Sequence, residues 1–270
     1  MVIDYLKTNG FSYTESINRI DDTKNITIEL DSIKPSNVIC LIGRTHGKGF
    51  TTIDYLEQPG KLRENINDNL FSPVSLAIEC QKRNIHLTYL GTGCIFNQDI
   101  DDIIHSHGYQ EHDLPDFFGS GYSTVKGFTD RLMHQFDNVL NLRIRMPIVG
   151  YDHPRNFITK IKTYTKIINV QNSMTVLPDI IPIIIDLSHK HHVGTINLTN
   201  PGTISHNQIL DMYKQYIDPS IQFQNFTVDE QNTILASKRS NNKLCTKQIE
   251  LLYPNLKNIK HSLEDLFKNW

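Results

Sequence analysis

Three short apolar runs, Val38–Ile42, His86–Leu90 and Val139–Ile144, are separated by stretches long enough for helices, and this alternation leaves few folds open. Runs of that length rich in Val, Ile and Leu read as buried strands. A helical region is expected around Leu62–Lys82, and another from about Tyr122 to Gln135. Strand, helix, strand order implies right-handed crossovers and a parallel sheet covered on both faces. Such sheets take ligands beyond the carboxyl ends of their strands, here Gly43–His46 and Gly91–Cys94.

The expected fold is therefore α/β, a Rossmann-type doubly wound sheet over residues 1–150, with residues 151–270 completing it and adding a small substrate lobe. In that second part a helix is expected at Ile180–His189, a strand at Gly194–Leu198, and a helix at Ser205–Ile217 capped by Ser205. Met1–Asn9 followed by Gly10 reads as the end of a helix with a glycine stop, then a short strand near Phe11–Tyr13. A Rossmann-type unit has a strand and a glycine-rich turn before that helix, and the turn's N–H groups hold a pyrophosphate. The chain is thus expected to begin inside its first βαβ unit, so that residues 1–270 alone hold a dinucleotide weakly.

Apolar residues at 39% can build a core across 270 residues, while a net charge of −2 gives no basic footprint for nucleic acid or an anionic membrane. The four cysteines (Cys40, Cys80, Cys94, Cys245) lack CxxC spacing, which argues against a disulfide framework or a zinc site and for a reducing compartment. No apolar stretch approaches the roughly 18 residues that span a bilayer. The N-terminus does not read as a signal peptide, since Asp4 and Lys7 interrupt it. A cytoplasmic protein is expected. His189-Lys-His-His192 reads as a solvated helix end complementing the helix dipole, with no metal expected. The polar stretch Asn97–Phe118, with His105, His107 and His112, reads as a loop beside the site.

Two motifs carry chemistry. In Tyr122-Ser-Thr-Val-Lys126 the helical i, i+4 spacing brings an ammonium near a phenol. A nearby cation lowers a phenol's pKa from about 10, so that it can donate and regain a proton near neutrality. A Tyr and a Lys at that spacing also occur on many exposed helix faces. The second motif, Leu90-Gly-Thr-Gly-Cys94, follows a predicted strand. The Thr92 hydroxyl could hold a carbonyl oxygen opposite Tyr122, and Cys94 is either a small core residue or a reactive thiol.

With these residues in view, the chain resembles the short-chain dehydrogenase/reductases of the extended, sugar-nucleotide type. It is most similar to the bifunctional 3,5-epimerase/4-reductases of plants and giant viruses that make nucleotide-L-rhamnose. The segments that carry the resemblance are Thr92-Gly-Cys-Ile-Phe96, Tyr122-Ser…Lys126, Leu142-Arg-Ile-Arg-Met-Pro-Ile148, Pro154-Arg-Asn-Phe-Ile-Thr-Lys160, Asn172-Ser-Met-Thr175, Thr199-Asn-Pro-Gly202, Ser205-His-Asn207 and Arg239-Ser-Asn-Asn242. They run from about Gly10 to the C-terminal helix; the PRNFITK and NSMT runs are specific to that enzyme, and YxxxK is shared by the superfamily.

The resemblance implies a nucleoside-diphosphate 4-keto-6-deoxyglucose as substrate, carrying UDP or dTDP, and NADPH as cofactor, with NADH the alternative. It makes Cys94 the base and Lys160 the acid of epimerisation, and Thr92, Tyr122 and Lys126 the reduction centre. Arg155, Asn156 and Arg239 would meet the diphosphate and sugar. Arg19, Gly43 and Asn65 would lie along the cofactor with Tyr122 and Lys126. Arg155 could equally be a surface ion-pair residue, Asn65 an exposed helix Asn, and Lys160, outside its motif, a solvated lysine. The chain departs from the family in lacking the glycine-rich loop and in carrying Cys40-Leu-Ile-Gly43 where relatives have Asn-Ala-Ala-Gly. The alternatives are a plain 4-reductase, which needs neither Cys94 nor Lys160, a fucose-type epimerase-reductase, and a non-catalytic binding subunit on the same fold. The oligomeric state is left open, a homodimer among the options.

Overall fold

The three apolar runs and the strand expected near Gly194 fall into one parallel sheet. In the computed structural model, which describes residues 1–270, the first half comprises α1 (Val2–Thr8), α2 (Thr23–Ile33), β1 (Asn37–Cys40), α3 (Leu62–Ile66), α4 (Ser72–Lys82), β2 (His86–Thr92), α5 (Gly121–Met133) and β3 (Val139–Ile144). The second half comprises β4 (Pro147–Ile148), α6 (Phe157–Ile161), β5 (Lys166–Ile167), β6 (Thr175–Val176), α7 (Leu177–His189), β7 (Gly194–Asn197), α8 (His206–Tyr216), β8 (Gln224–Asn225), α9 (Val228–Ile234), α10 (Lys247–Leu252) and α11 (Ile259–Lys268). The main sheet has the order β1-β2-β3-β7, with Leu90 opposite Leu142 and Leu142 opposite Ile196. Two small parallel ladders, β4 with β6 and β5 with β8, lie apart from it. No helix is long and apolar enough to cross a membrane.

The strands are apolar on both sides because helices cover both faces. Leu87 and Tyr89 of β2 pack with Leu76, Ala77 and Cys80 of α4 and Met133 of α5. On the opposite face Leu140, Leu142 and Ile196 meet Ile180, Ile183, Ile184 and Leu187 of α7. Full burial of each such side chain is worth about 1.5–3 kcal/mol. A separate core in the second half gathers Ile148, Ile158, Met174, Leu210, Leu263 and Phe267. Ser205 caps α8 as expected: its hydroxyl accepts the Gln208 N–H at 3.3 Å, and the Gln208 side chain accepts the Ser205 N–H at 2.9 Å.

One expectation needs correcting and another gains detail. Phe11–Tyr13 is not a strand: β1 is the edge of the sheet, no strand lies beside it to receive that segment, and Phe11 packs edge-on against His189, 5.9 Å between ring centroids. The helical region expected at Leu62–Lys82 is present, with a π-turn at Asn67–Phe71 joining α3 to α4. Pro73 explains the break. It has no N–H to give to the Asn69 carbonyl, and the Thr129 hydroxyl of α5 takes that carbonyl at 2.6 Å. The wider turn carries Asn65 and Asn69 inward, where both are buried.

Beneath the site, Arg143 of β3 is fully buried and pairs with Asp130 of α5 at 2.7 Å and 2.9 Å. Burial raises the Asp130 pKa, but hydrogen bonds from Arg143 and His134 outweigh it and bring it down to about 2. A carboxyl held below its unfolded value of about 3.9 contributes stability that is full above that pH and lost as pH falls toward 2. Asp130→Ala, which strands the guanidinium, is expected to cost about 3–5 kcal/mol in denaturant unfolding at neutral pH. A loss under about 1 kcal/mol would mean that the carbonyls of Gln110 and Asp113, at 3.2 and 3.4 Å, suffice for the charge.

Candidate active site

β2 ends on Thr92, whose hydroxyl oxygen accepts the Cys94 N–H at 3.1 Å. The turn between them is held from behind. The Gly93 carbonyl accepts from Arg145 at 2.9 Å and from Asn242 at 3.0 Å, and Asn242 also donates to the Phe96 carbonyl at 2.8 Å. Gly93 itself is obligatory: a Cβ there would lie 2.6 Å from Leu244 and 3.0 Å from Arg145. Cys94 is thus fixed at the strand's carboxyl end, half-buried, while the other three cysteines are buried.

Tyr122 enters from the first turn of α5. It packs in a small cluster with Tyr55 and Leu56, and Cys94 lies against the same cluster. Thiol, phenol and the Thr92 hydroxyl therefore share one pocket. Burial, with the Cys94 thiol beside it, pushes the Tyr122 pKa up, and the hydrogen bond with Thr92 pulls the other way.

Lys126, one helical turn on, does not turn to Tyr122. Its amine is bound to the Tyr89 hydroxyl and lies 4.6 Å from that ring's centroid. Burial brings its pKa down to about 8, against the opposing pull of Cys40, Asp130 and Cys94. The sequence pattern foresaw a cation lowering the Tyr122 pKa; in this arrangement desolvation dominates both groups instead.

Asn65 is fully buried rather than an exposed helix residue. Its carbonyl accepts from Asn69 at 2.9 Å, and its Nδ2 has no partner. Asn69 bonds both the N–H and the carbonyl of Arg44, at 2.8 and 3.0 Å, which holds the Gly43-Arg44 turn at the end of β1. Arg19, exposed, shares its guanidinium with Asp21 at 2.9 Å and Asp68 at 3.5 Å.

On the lobe side, α6 carries Lys160, half-buried and without an ion pair. Burial, then the charge of Arg155, lowers its pKa. His46, from the loop after β1, meets the same charges: burial, then Arg155 and Lys160, lower its pKa, and its buried Nδ1 is unpartnered. Arg155 is exposed. Asn156 is a correction. It is buried, its oxygen accepts from Val149 and Ile158 at 3.2 and 3.4 Å, and its amide donates to the carbonyls of Val149 and Tyr151 at 3.0 and 2.9 Å. All its hydrogen-bonding capacity serves the scaffold, which removes it from direct substrate contact. Arg239 is likewise engaged, by Asp54 at 2.6 Å and the Ser237 carbonyl at 3.0 Å.

Sequence reasoning singled out neither Tyr89, Arg145 nor Glu57. Arg145 could have been found: a second arginine two residues after Arg143 in an apolar run must point into protein, and it is 1% exposed. Tyr89 and Glu57 gave no signal apart from the fold.

A parallel sheet with a hydroxyl at the end of a central strand and a buried YxxxK helix beside it matches the pattern of the short-chain dehydrogenase/reductases. No family model matches the chain. It is 49% identical over 267 residues to an uncharacterised protein of Acanthamoeba polyphaga mimivirus, covering 98% of this chain and 92% of that one. It is 39% identical over 259 residues to the bifunctional dTDP-4-dehydrorhamnose 3,5-epimerase/dTDP-4-dehydrorhamnose reductase of Arabidopsis thaliana, covering 95% and 84%. The crystal structure of the mimivirus UDP-rhamnose synthase superposes with a TM-score of 0.97 at 48% identity, covering 100% of this chain and 94% of that one. The chain belongs to the nucleotide-rhamnose epimerase/reductase family.

Proposed function

We propose that this protein converts UDP- or dTDP-4-keto-6-deoxyglucose to the L-rhamnose nucleotide by 3,5-epimerisation followed by NADPH-dependent reduction at C4. One observation carries the reading: Cys94 and Tyr122 lie against the same small cluster, so a base for carbon acids and an acid for a carbonyl oxygen face one substrate. The C4 ketone acidifies the hydrogens at C3 and C5. The Cys94 thiolate takes each proton, leaving an enolate whose oxygen Thr92 holds, and Lys160 returns a proton to the opposite face. Tyr122 then protonates the C4 oxygen, with Lys126 one helical turn on and held by Tyr89. Arg155 supplies a guanidinium for the diphosphate, and Arg239 would do so only by leaving Asp54.

The residues at the centre fit a nicotinamide dinucleotide. Asn65 turns an unpartnered buried amide toward the first turn of α5. NADPH, when bound, supplies the hydride. Arg19 is the candidate for its 2′-phosphate, in exchange for Asp21. The direct experiment incubates the full-length protein with each 4-keto nucleotide plus NADPH and assigns the sugar product by NMR. An L-rhamnose nucleotide supports the reading, a D-configured 4-alcohol would leave a plain reductase, and no turnover would leave a binding subunit.

The Lys126 amine keeps its proton only below about pH 8. The reduction rate is therefore expected to decline as pH rises through that value. Tyr89→Phe removes the oxygen that favours the charged amine and should move the decline to lower pH. A pH–rate profile that is flat across about 7 to 9, or unmoved by Tyr89→Phe, would contradict this role for the pair.

A further inference from the structure

Glu57 has no role in the chemistry above, yet its carboxylate reaches the backbone of Tyr122. One oxygen accepts the Gly121 N–H at 3.0 Å and the other the Tyr122 N–H at 3.2 Å. A helix leaves its first four N–H groups without partners of its own. In α5 the Ser123 N–H goes to the Ser120 hydroxyl, and the helix's own ladder begins with the Thr124 N–H on the Ser120 carbonyl, both at 3.0 Å. Ser120 is thus the ordinary cap, and Glu57 takes the Gly121 and Tyr122 N–H groups from more than 60 residues away in sequence. The contact is close, since a Cβ on Gly121 would lie 3.3 and 3.5 Å from the two carboxylate oxygens.

The segment that presents Glu57 is itself pinned. Asp54 is held by Arg239 at 2.6 Å, the Tyr55 hydroxyl accepts from Lys61 at 2.6 Å and donates to Glu64 at 3.0 Å, and Leu56 packs against Tyr122. Thr92 and Cys94 hang on β2 and are fixed by Arg145 and Asn242 instead. Cys94 packs on the same Tyr55–Leu56 segment, but the carboxylate clamp on the backbone serves the acid half of the site alone.

We propose that Glu57 is a positioning residue for the reduction: it locks the first turn of α5 and so sets the Tyr122 hydroxyl against the end of β2. This rests on the reading of Tyr122 as proton donor. The carboxylate also meets the positive end of α5, which strengthens the clamp.

The test uses the full-length protein. Glu57→Ala is expected to lower kcat for reduction by about 10- to 100-fold, with KM for the nucleotide sugar and solvent deuterium exchange into C3 and C5 held within about twofold. Glu57→Gln, which keeps an acceptor for one of the two amides, recovers part of the loss. Independently of activity, amide exchange at Gly121 and Tyr122 should quicken by about tenfold in Glu57→Ala while the rest of α5 stays protected. Unchanged kcat and unchanged amide protection would overturn the proposal. So would reduction, deuterium exchange and melting temperature all falling together, because Glu57 would then merely support the fold. Tyr122→Phe separates the two readings. If that variant reduces at the wild-type rate, the assignment of Tyr122 fails and Glu57 falls with it. If it is inactive while Glu57→Ala is fully active, Glu57 alone is wrong.

Discussion

Tyr122→Phe is expected to abolish NADPH-dependent reduction while solvent deuterium still enters C3 and C5. The substitution removes one oxygen from a packed cluster of Tyr55, Leu56 and Tyr122, so the ring keeps its neighbours and α5 keeps its caps. What is lost is the proton for the C4 oxygen, and losing a positioned general acid typically costs about 10²–10⁴ in rate. In the proposed mechanism deuterium exchange depends on Cys94, whose turn is held through Gly93 by Arg145 and Asn242. NADPH consumption at the wild-type rate would exclude Tyr122 as the donor. Loss of exchange together with reduction would show that the phenol also holds the enolate oxygen.

Cys94→Ser should produce the complementary defect. A serine hydroxyl is far too weakly acidic to serve as a base in place of a thiolate, and its smaller oxygen leaves the Thr92–Cys94 turn intact. Deuterium incorporation at C3 and C5 is expected to fall by at least about 10²-fold. Reduction of a 4-keto sugar supplied already in the L configuration should persist, because Thr92, Tyr122 and Lys126 remain. Exchange at the wild-type rate would reduce Cys94 to a packing residue. The same assay on Lys160→Met asks whether reprotonation draws on that amine, which is half-buried and unpaired.

How far these assignments could be read beforehand depended on the range of the interaction. Val139–Ile144 as a strand and Ser205 as a cap are local facts of apolar run and hydroxyl, and the structure has both. The split of α3 from α4 was half legible: Pro73 signals a break, but only the fold shows Thr129 taking the freed carbonyl. Phe11–Tyr13 failed as a strand because a strand needs a neighbour, and no residue type announces one. At the site, the i, i+4 spacing correctly put Tyr122 and Lys126 on one helix. It could not show that Tyr89, from β2, receives the amine, nor that Asn156 and Arg239 are already engaged by the protein itself.

The stitches of the active-site wall have a consequence for how the molecule comes into being. Arg239 joins Asp54 across 185 residues of chain, Asn242 joins Gly93 across 149, and Ser240 joins Phe96 across 144. The loop carrying Cys94 and the turn carrying Glu57 are therefore completed by a segment made well over a hundred residues after them. During synthesis the sheet can close and bury its strands long before the pocket acquires its far wall. A chain cut before residue 239 would keep the four strands of its main sheet yet lack the far wall of its pocket.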